Sequence, residues 1–233
     1  MEIVIDTNAF YGDPRLTGAK IRTLCETAKV TGDTVCIPQM VVDEAKNKYH
    51  EQLISHKSKI DKALSDIKRL TGKVHTTTLD SKSIEDELAS MSKKFDEQID
   101  ALGIKVLPYP KTPHEVIAKR AVKKKKPFSE SGKGYRDALI WENIKELVKP
   151  AKKLIDDPQV VLITENYTDF CEQDYQLHAD LMEELNVLKA PDNSVEVIKD
   201  IEKVIDKYCK PKQKILDYIK AELEQGKYKK LNV

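Results

Sequence analysis

The chain has 233 residues, 40% hydrophobic and 34% charged, with 40 Lys and Arg against 39 Asp and Glu. This composition excludes wholesale disorder and allows a sizeable core beneath a surface heavy in Lys and Glu. The net charge of +1 excludes a global basic field, so any polyanion must be met by local patches.

Ile3-Val4-Ile5 reads as a buried parallel strand that stops on Asp6-Thr7-Asn8. In α/β sheets ligands bind beyond the carboxyl ends of the strands, so Asp6 stands where chemistry would occur. Capping of a following turn is the competing role for Asp6. Gly12, Asp13 and Pro14 mark a loop before a helix built on Ile21, Leu24, Cys25 and Ala28, which Gly32-Asp33 closes. Residues 34–37 form a second short strand, with Pro38 as an early helical position. In the helix that follows, Glu44 lies beside the sheet-facing stripe of Val41 and Ala45, within two turns of the strand end. A first-turn acid favoured by the helix dipole is the plainer role for it.

From about residue 53 to 102 the pattern turns to long charged helices, with Ile60, Leu64 and Ile67, then Ile84, Leu88, Met91, Phe95, Ile99 and Leu102. Gly72 and Thr76-Thr77-Thr78 interrupt them, and Ser81 or Ser83 is placed to cap the second. This predicts an antiparallel helical hairpin inserted at about 50–103. Lys105-Val106-Leu107 reads as a strand ended by prolines, and a short helix starts at His114. Lys123, Lys124, Lys125 and Lys126 then lead into a Ser- and Gly-rich loop carrying Lys133. A lysine run is commonly a solvated helix end, but here it precedes another acid, as phosphate-backbone binding would require.

The stretch beginning Tyr135-Arg136-Asp137 opens a helix whose stripe Asp137, Trp141, Ile144 and Val148 is apolar except at its first position. A carboxylate on a core stripe needs a partner, either a metal ion or a salt bridge to Arg136 or a lysine. Val160–Ile163 is a second buried strand and also stops on polar residues, Thr164-Glu165-Asn166, with Asp169 close behind. Thr164 and Asn166 can hold that turn. An amphipathic helix from Asp174, a last strand around 186–188, and two C-terminal helices through Ile198, Ile201, Ile205 and Ile215, Ile219, Leu223 complete the chain. Residues 1–190 are expected as the main domain and 191–233 as a C-terminal helical extension. Cys25, Cys36, Cys171 and Cys209 show no Cys-x-x-Cys spacing, which argues against a zinc site and for a reducing cytoplasm. With no apolar run of bilayer length and a core strand at the very start, a soluble protein with no membrane partner is expected.

Four acids thus stand where an α/β sheet gathers them: Asp6, Glu44, Asp137 and Asp169. Crowded like charges are destabilising unless a divalent cation neutralises them, and hard oxygen donors select Mg²⁺ or Mn²⁺. The order and setting of these acids resemble the PIN-domain nucleases. The residues that carry the likeness are Val4-Ile5-Asp6-Thr7-Asn8, Ile37-Pro38 leading to Val41 and Glu44, Arg136-Asp137-Ala138-Leu139-Ile140, and Leu162-Ile163-Thr164-Glu165-Asn166 with Asp169-Phe170. Lys126-Pro127-Phe128 and Trp141-Glu142 are similar to a bacterial branch of that superfamily.

The resemblance implies a three-layer α/β/α sandwich with a mainly parallel sheet. It also implies metal-dependent endoribonuclease cleavage of single-stranded or structured RNA, or less often DNA, leaving 5′-phosphate and 3′-hydroxyl ends. Asp6, Glu44 and Asp137 would hold Mg²⁺ or Mn²⁺ while a metal-bound water attacks the phosphodiester. PIN proteins often carry an acid where this chain has Asn166, so the fourth ligand would be Asp169, or Asn166 through its amide or an intervening water, unless three acids suffice as in some members. Thr7, Asn8 and Thr164 would orient the ligands, while Lys123 to Lys126, Lys133 and Arg136 contact phosphates. Tyr135 or Phe128 can stack on a base, with local core equally open for Phe128. A toxin or defence role, an inhibitory or accessory protein partner and a homodimer are all compatible with this reading. The alternative is a catalytically weak PIN-like module that binds RNA or protein. A haloacid-dehalogenase-type nucleophile would need an acid in place of Asn8, and a Rossmann nucleotide site would need glycines after the first strand.

Overall fold

The computed structural model describes residues 1–10, 12–13, 15–150, 157–172 and 176–224, apart from the side chain of Ser81. At its centre lies a five-stranded sheet of order β3-β2-β1-β4-β5, in which every pairing is parallel. The strands are β1 (Glu2–Ile5), β2 (Thr34–Pro38), β3 (Lys105–Leu107), β4 (Val160–Ile163) and β5 (Val195–Ile198). Ile3, Val4 and Ile5 of β1 and all four residues of β4 are fully buried. Helices covering both faces leave no solvated side, so these strands are written as unbroken apolar runs and not as alternating ones.

The chain steps from β1 to β2 to β3 in one direction, then crosses back to β4 and β5. Right-handed crossovers place the connecting helices of the two journeys on opposite faces. α1 (Ala19–Thr31) packs with α3 (Ser81–Leu102), α7 (Ile201–Val204) and α8 (Lys210–Glu224). In the other layer, α4 (His114–Val122) packs on α5 (Tyr135–Leu147), and Trp141 Nε1 of α5 donates to Glu184 Oε2 of α6 (Ala179–Val187) at 2.9 Å. The product is a three-layer α/β/α sandwich. Its strand reversal at β1 and β4 makes the carboxyl edge of those strands the natural crevice.

The inserted hairpin consists of α2 (Gln39–Thr71) and α3. α2 runs without a break, so one helix carries both Glu44 at its base and the projecting arm. α3 is capped by Asp80, whose carboxylate accepts from the Ser83 amide at 2.7 Å, and not by Ser81 or Ser83 as its sequence predicts.

The last strand also differs from expectation. Residues 186–188 end α6, whose buried Leu181 and Leu185 keep helical spacing until Lys189 turns left-handed (φ 56) and Ala190 donates its amide to the Leu185 carbonyl. The fifth strand is Val195–Ile198, inside the stretch expected as the C-terminal extension. Ile198 therefore belongs to the sheet, with Val195, Val197 and Ile198 buried and Glu196 turned outward. Pro14, Asp174 and residues 225–233, which figured in the expected loop, helix start and C-terminal extension, lie outside the described residues.

Candidate active site

Parallel register makes the first contact. Ile5 is paired with Ile163, so Asp6 and Thr164 leave neighbouring strands side by side. Thr164 Oγ1 donates to Asp6 Oδ2 at 2.7 Å, the Thr7 amide donates to Oδ1 at 2.7 Å, and Asn8 Nδ2 lies 3.3 Å from Oδ2. Asp6 is only 4% exposed. Burial raises its pKa above the usual carboxylate range and Glu44 adds to the rise, while the Thr164 and Thr7 hydrogen bonds and Lys48 oppose it.

Glu44 approaches from the base of α2. Thr7 Oγ1 donates to its Oε2 at 2.9 Å, Lys48 pairs with its Oε1 at 3.0 Å, and Arg136 pairs with the same oxygen. Two cations therefore already neutralise this carboxylate.

Asp137 enters from the first turn of α5. Gly134 introduces that helix at φ 125, and any Cβ there would run into the Pro127 carbonyl and Phe128 Cα. Only glycine fits this approach. The Asp137 pKa is pushed up to about 6, first by burial, then by the charges of Asp6 and Asp169, with Arg136 offsetting little. Asp169 closes the short 3₁₀ turn Tyr167–Asp169 after β4, and burial raises its pKa while Lys126 opposes. Asn166 precedes this turn, exposed, its amide donating to Thr164 Oγ1 at 3.0 Å. An open groove of about 830 Å³ borders Asn8 and Glu165.

Asp137 thus lies within electrostatic reach of both Asp6 and Asp169, and Glu44 within reach of Asp6, with Thr7 bonded to Glu44 as well. Among the described residues, no three His, Cys, Asp or Glu side chains converge closely enough to close around an ion as they stand. The chemistry of the set nevertheless fits a hard dication: every donor is an oxygen, Asp6 and Asp169 raise the proton affinity of Asp137, and Glu44 raises that of Asp6.

A family model described as PIN domain matches residues 3–170. The chain belongs to the PIN-domain family. The match spans all four acids and ends one residue past Asp169. PIN domains are in general nucleases, so the chain has a nuclease-type fold. Comparison with curated proteins and with solved structures gives no match.

Around the acids, this PIN domain is organised by charges that composition alone does not reveal. Of the four-lysine run, Lys124 pairs with Glu130 at 2.6 Å and Lys125 with Glu183 at 3.0 Å. Lys126 Nζ donates to the Thr168 carbonyl at 2.8 Å, which sets it beside Asp169. Lys123 and Lys133 are exposed. Phe128 is buried with Ile117 and Ala138, so it is local core and does not offer its ring to a base. Arg120, 5% exposed, pairs with Glu184 and Glu142 and donates to the Lys126 carbonyl, while the Lys126 amide donates to Asp180 Oδ2 at 3.0 Å. This ionic core pins the lysine loop onto α6.

Lys48, Tyr109, His114 and Arg120 are absent from the sequence-derived site and stand in or around it. Lys48 had a readable signal, since a Glu followed four residues later by Lys forms a helix ion pair. Pro108-Tyr109-Pro110, an aromatic held between two prolines in a loop, was a weaker one.

No helix among the described residues is long and apolar enough to cross a membrane.

Proposed function

We propose that this PIN domain is a Mg²⁺- or Mn²⁺-dependent endoribonuclease. The observation that supports this most is the group of Asp6, Asp137 and Asp169 at one sheet edge, each shifted above its ordinary pKa and Asp137 held up in part by the other two. Asp6, Glu44, Asp137 and Asp169 would hold the cation, with the Asn166 amide as a further oxygen donor. A dication bound there activates a water and offsets the charge that builds up on a phosphodiester under attack.

The chain's own groups do the rest. Thr164 and the Thr7 amide fix the direction of the Asp6 carboxylate, each from 2.7 Å. Thr7 also ties Glu44 to the same edge. Arg136 and Lys126, next to Asp137 and Asp169, supply positive charge for the phosphates on either side of the cleaved bond.

The test is cleavage of an end-labelled single-stranded RNA by the full chain with Mg²⁺ or Mn²⁺, for wild type, Asp6→Asn and Asp137→Asn. Cleavage by wild type that both substitutions reduce by orders of magnitude is expected, with 5′-phosphate products. Equal activity, or equal inactivity, of wild type and Asp6→Asn refutes the assignment and leaves a binding module.

A further inference from the structure

Beside Glu44, three segments bring aromatic rings to the surface. The loop 108–113 between β3 and α4 is fastened to α5 at three points: Asn143 Nδ2 donates to the Pro108 carbonyl at 2.9 Å, the Lys111 amide to Glu146 Oε1 at 3.1 Å, and Thr112 Oγ1 to Glu142 Oε2 at 2.6 Å. With Pro108, Pro110 and Pro113 limiting its backbone, this loop is set in register with the helix that begins Tyr135-Arg136-Asp137. Tyr109, at its crest, is 46% exposed, and its hydroxyl donates to Asp43 Oδ2 at 2.7 Å, the residue before Glu44. The phenol is thereby fixed at its tip while its face stays open. Tyr135 is 45% exposed, and its ring centre lies 6.3 Å from that of exposed His114, tilted by 45°. Arg136, beside Tyr135 in the chain, is also largely exposed.

Rings this exposed add little to a core, and the hydroxyl hydrogen bond that anchors Tyr109 leaves its π-face free. Such faces next to a guanidinium are what unstacked bases and their phosphates bind, because every base has a π-face and every link a charge. A duplex keeps its bases stacked inside and cannot use them.

We propose that Tyr109, Tyr135 and His114 form a base-stacking shelf that receives single-stranded nucleic acid and leads its backbone past Arg136 to the carboxylate edge. This rests on the nuclease reading above and narrows its substrate to unpaired strands. The shelf residues are binding residues and take no part in bond cleavage.

The test is fluorescence anisotropy with the full chain and a labelled 12-nucleotide oligouridine, the matching deoxy oligonucleotide, and an abasic backbone of the same length, with Ca²⁺ in place of Mg²⁺ to hold back cleavage. Tyr109→Leu and Tyr135→Leu remove the ring and keep apolar bulk, whereas Tyr109→Trp and Tyr135→Trp keep a stacking face. Each Leu variant is expected to weaken oligonucleotide binding about tenfold, to leave the abasic backbone unchanged, and to be rescued by Trp. Ring-dependent binding of the RNA, the DNA or both supports the shelf and names its substrate. Unchanged binding by the Leu variants, or equal losses on the abasic backbone, overturns it, even where wild type cleaves RNA. Ring-dependent binding by a chain that cuts nothing keeps the shelf and removes the nuclease reading. No binding of any oligonucleotide by wild type overturns both.

Discussion

Asp137→Asn should make the protein more stable and less active at neutral pH. Raising a carboxyl pKa from its ordinary 3.8 to about 6 corresponds to roughly 3 kcal/mol of preference for the protonated form in the folded state. The folded protein binds this proton more tightly than the unfolded chain does. Its contribution to stability is therefore complete below pH 3.8 and is lost as pH rises through about 6. Above that, wild type carries the whole burden of a buried, repelled charge. Water reaching the side chain screens part of it, which leaves ~1–2 kcal/mol for Asn to recover. For a chain of this size that is a rise in melting temperature of about 3–6 °C. Thermal unfolding at pH 4 and pH 7.5, with EDTA and with Mg²⁺ in large excess, measures it. In EDTA the two proteins should melt together at pH 4 and separate at pH 7.5, with Asn higher. Mg²⁺ should then raise wild type and leave Asn nearly unmoved, since a ligand stabilises only the state that binds it. A variant less stable than wild type at pH 7.5, or a gap independent of pH, refutes the electrostatic account of the site.

Arg136→Gln frees Glu44 from one of its two cations, so calorimetric Mn²⁺ affinity should rise while the salt dependence of RNA binding loses about one phosphate contact; lower Mn²⁺ affinity would show that Arg136 organises the carboxylates and does not compete for them. Arg120→Ala removes one of the two cations shared by buried Glu142 and half-buried Glu184 and leaves Lys145 as the other, so urea unfolding should register a loss of about 1–3 kcal/mol, short of the roughly 3–5 kcal/mol of a fully uncompensated buried pair. Gly134→Ala forces a methyl group toward the Pro127 carbonyl at φ 125, with an expected loss of roughly 1–3 kcal/mol in the same assay and a larger fall in RNA cleavage, because Asp137 follows three residues later. Metal affinity should drop steeply below about pH 6 as Asp137 takes up its proton, and a flat titration between pH 5 and 7.5 would exclude Asp137 as a ligand.

Much of the scaffold was legible because it is local. Ile3-Val4-Ile5 and Val160–Ile163 announce central parallel strands by having no polar side at all. Once those two strands are neighbours, the Asp6 and Thr164 contact follows from register, one step beyond the Ile5 and Ile163 pair. The Asp137 helix was legible for a related reason: an acid opening an otherwise apolar stripe contradicts its surroundings. β5 was missed because four residues, one of them Glu196, are too short to show a period. The apolar pair Val187-Leu188 at the end of α6 was the more conspicuous lure.

Apart from Lys48, the partners of these acids lay beyond sequence reading for a deeper reason. Glu44 meets Arg136 across 92 residues, Tyr109 meets Asp43 across 66, and Lys125 meets Glu183 across 58, and neither hydrophobic period nor local spacing encodes such pairings. Acids at strand ends indicate where a PIN-domain site lies, because the backbone puts them there. The cations that come to them decide which carboxylates are already neutralised, as Glu44 is, and which stay under strain, as Asp137 does. A cation entering this edge would therefore relieve Asp137 but would have to compete with Arg136 and Lys48 for Glu44. Metal affinity should accordingly respond more to loss of the Asp137 carboxylate than to loss of Glu44.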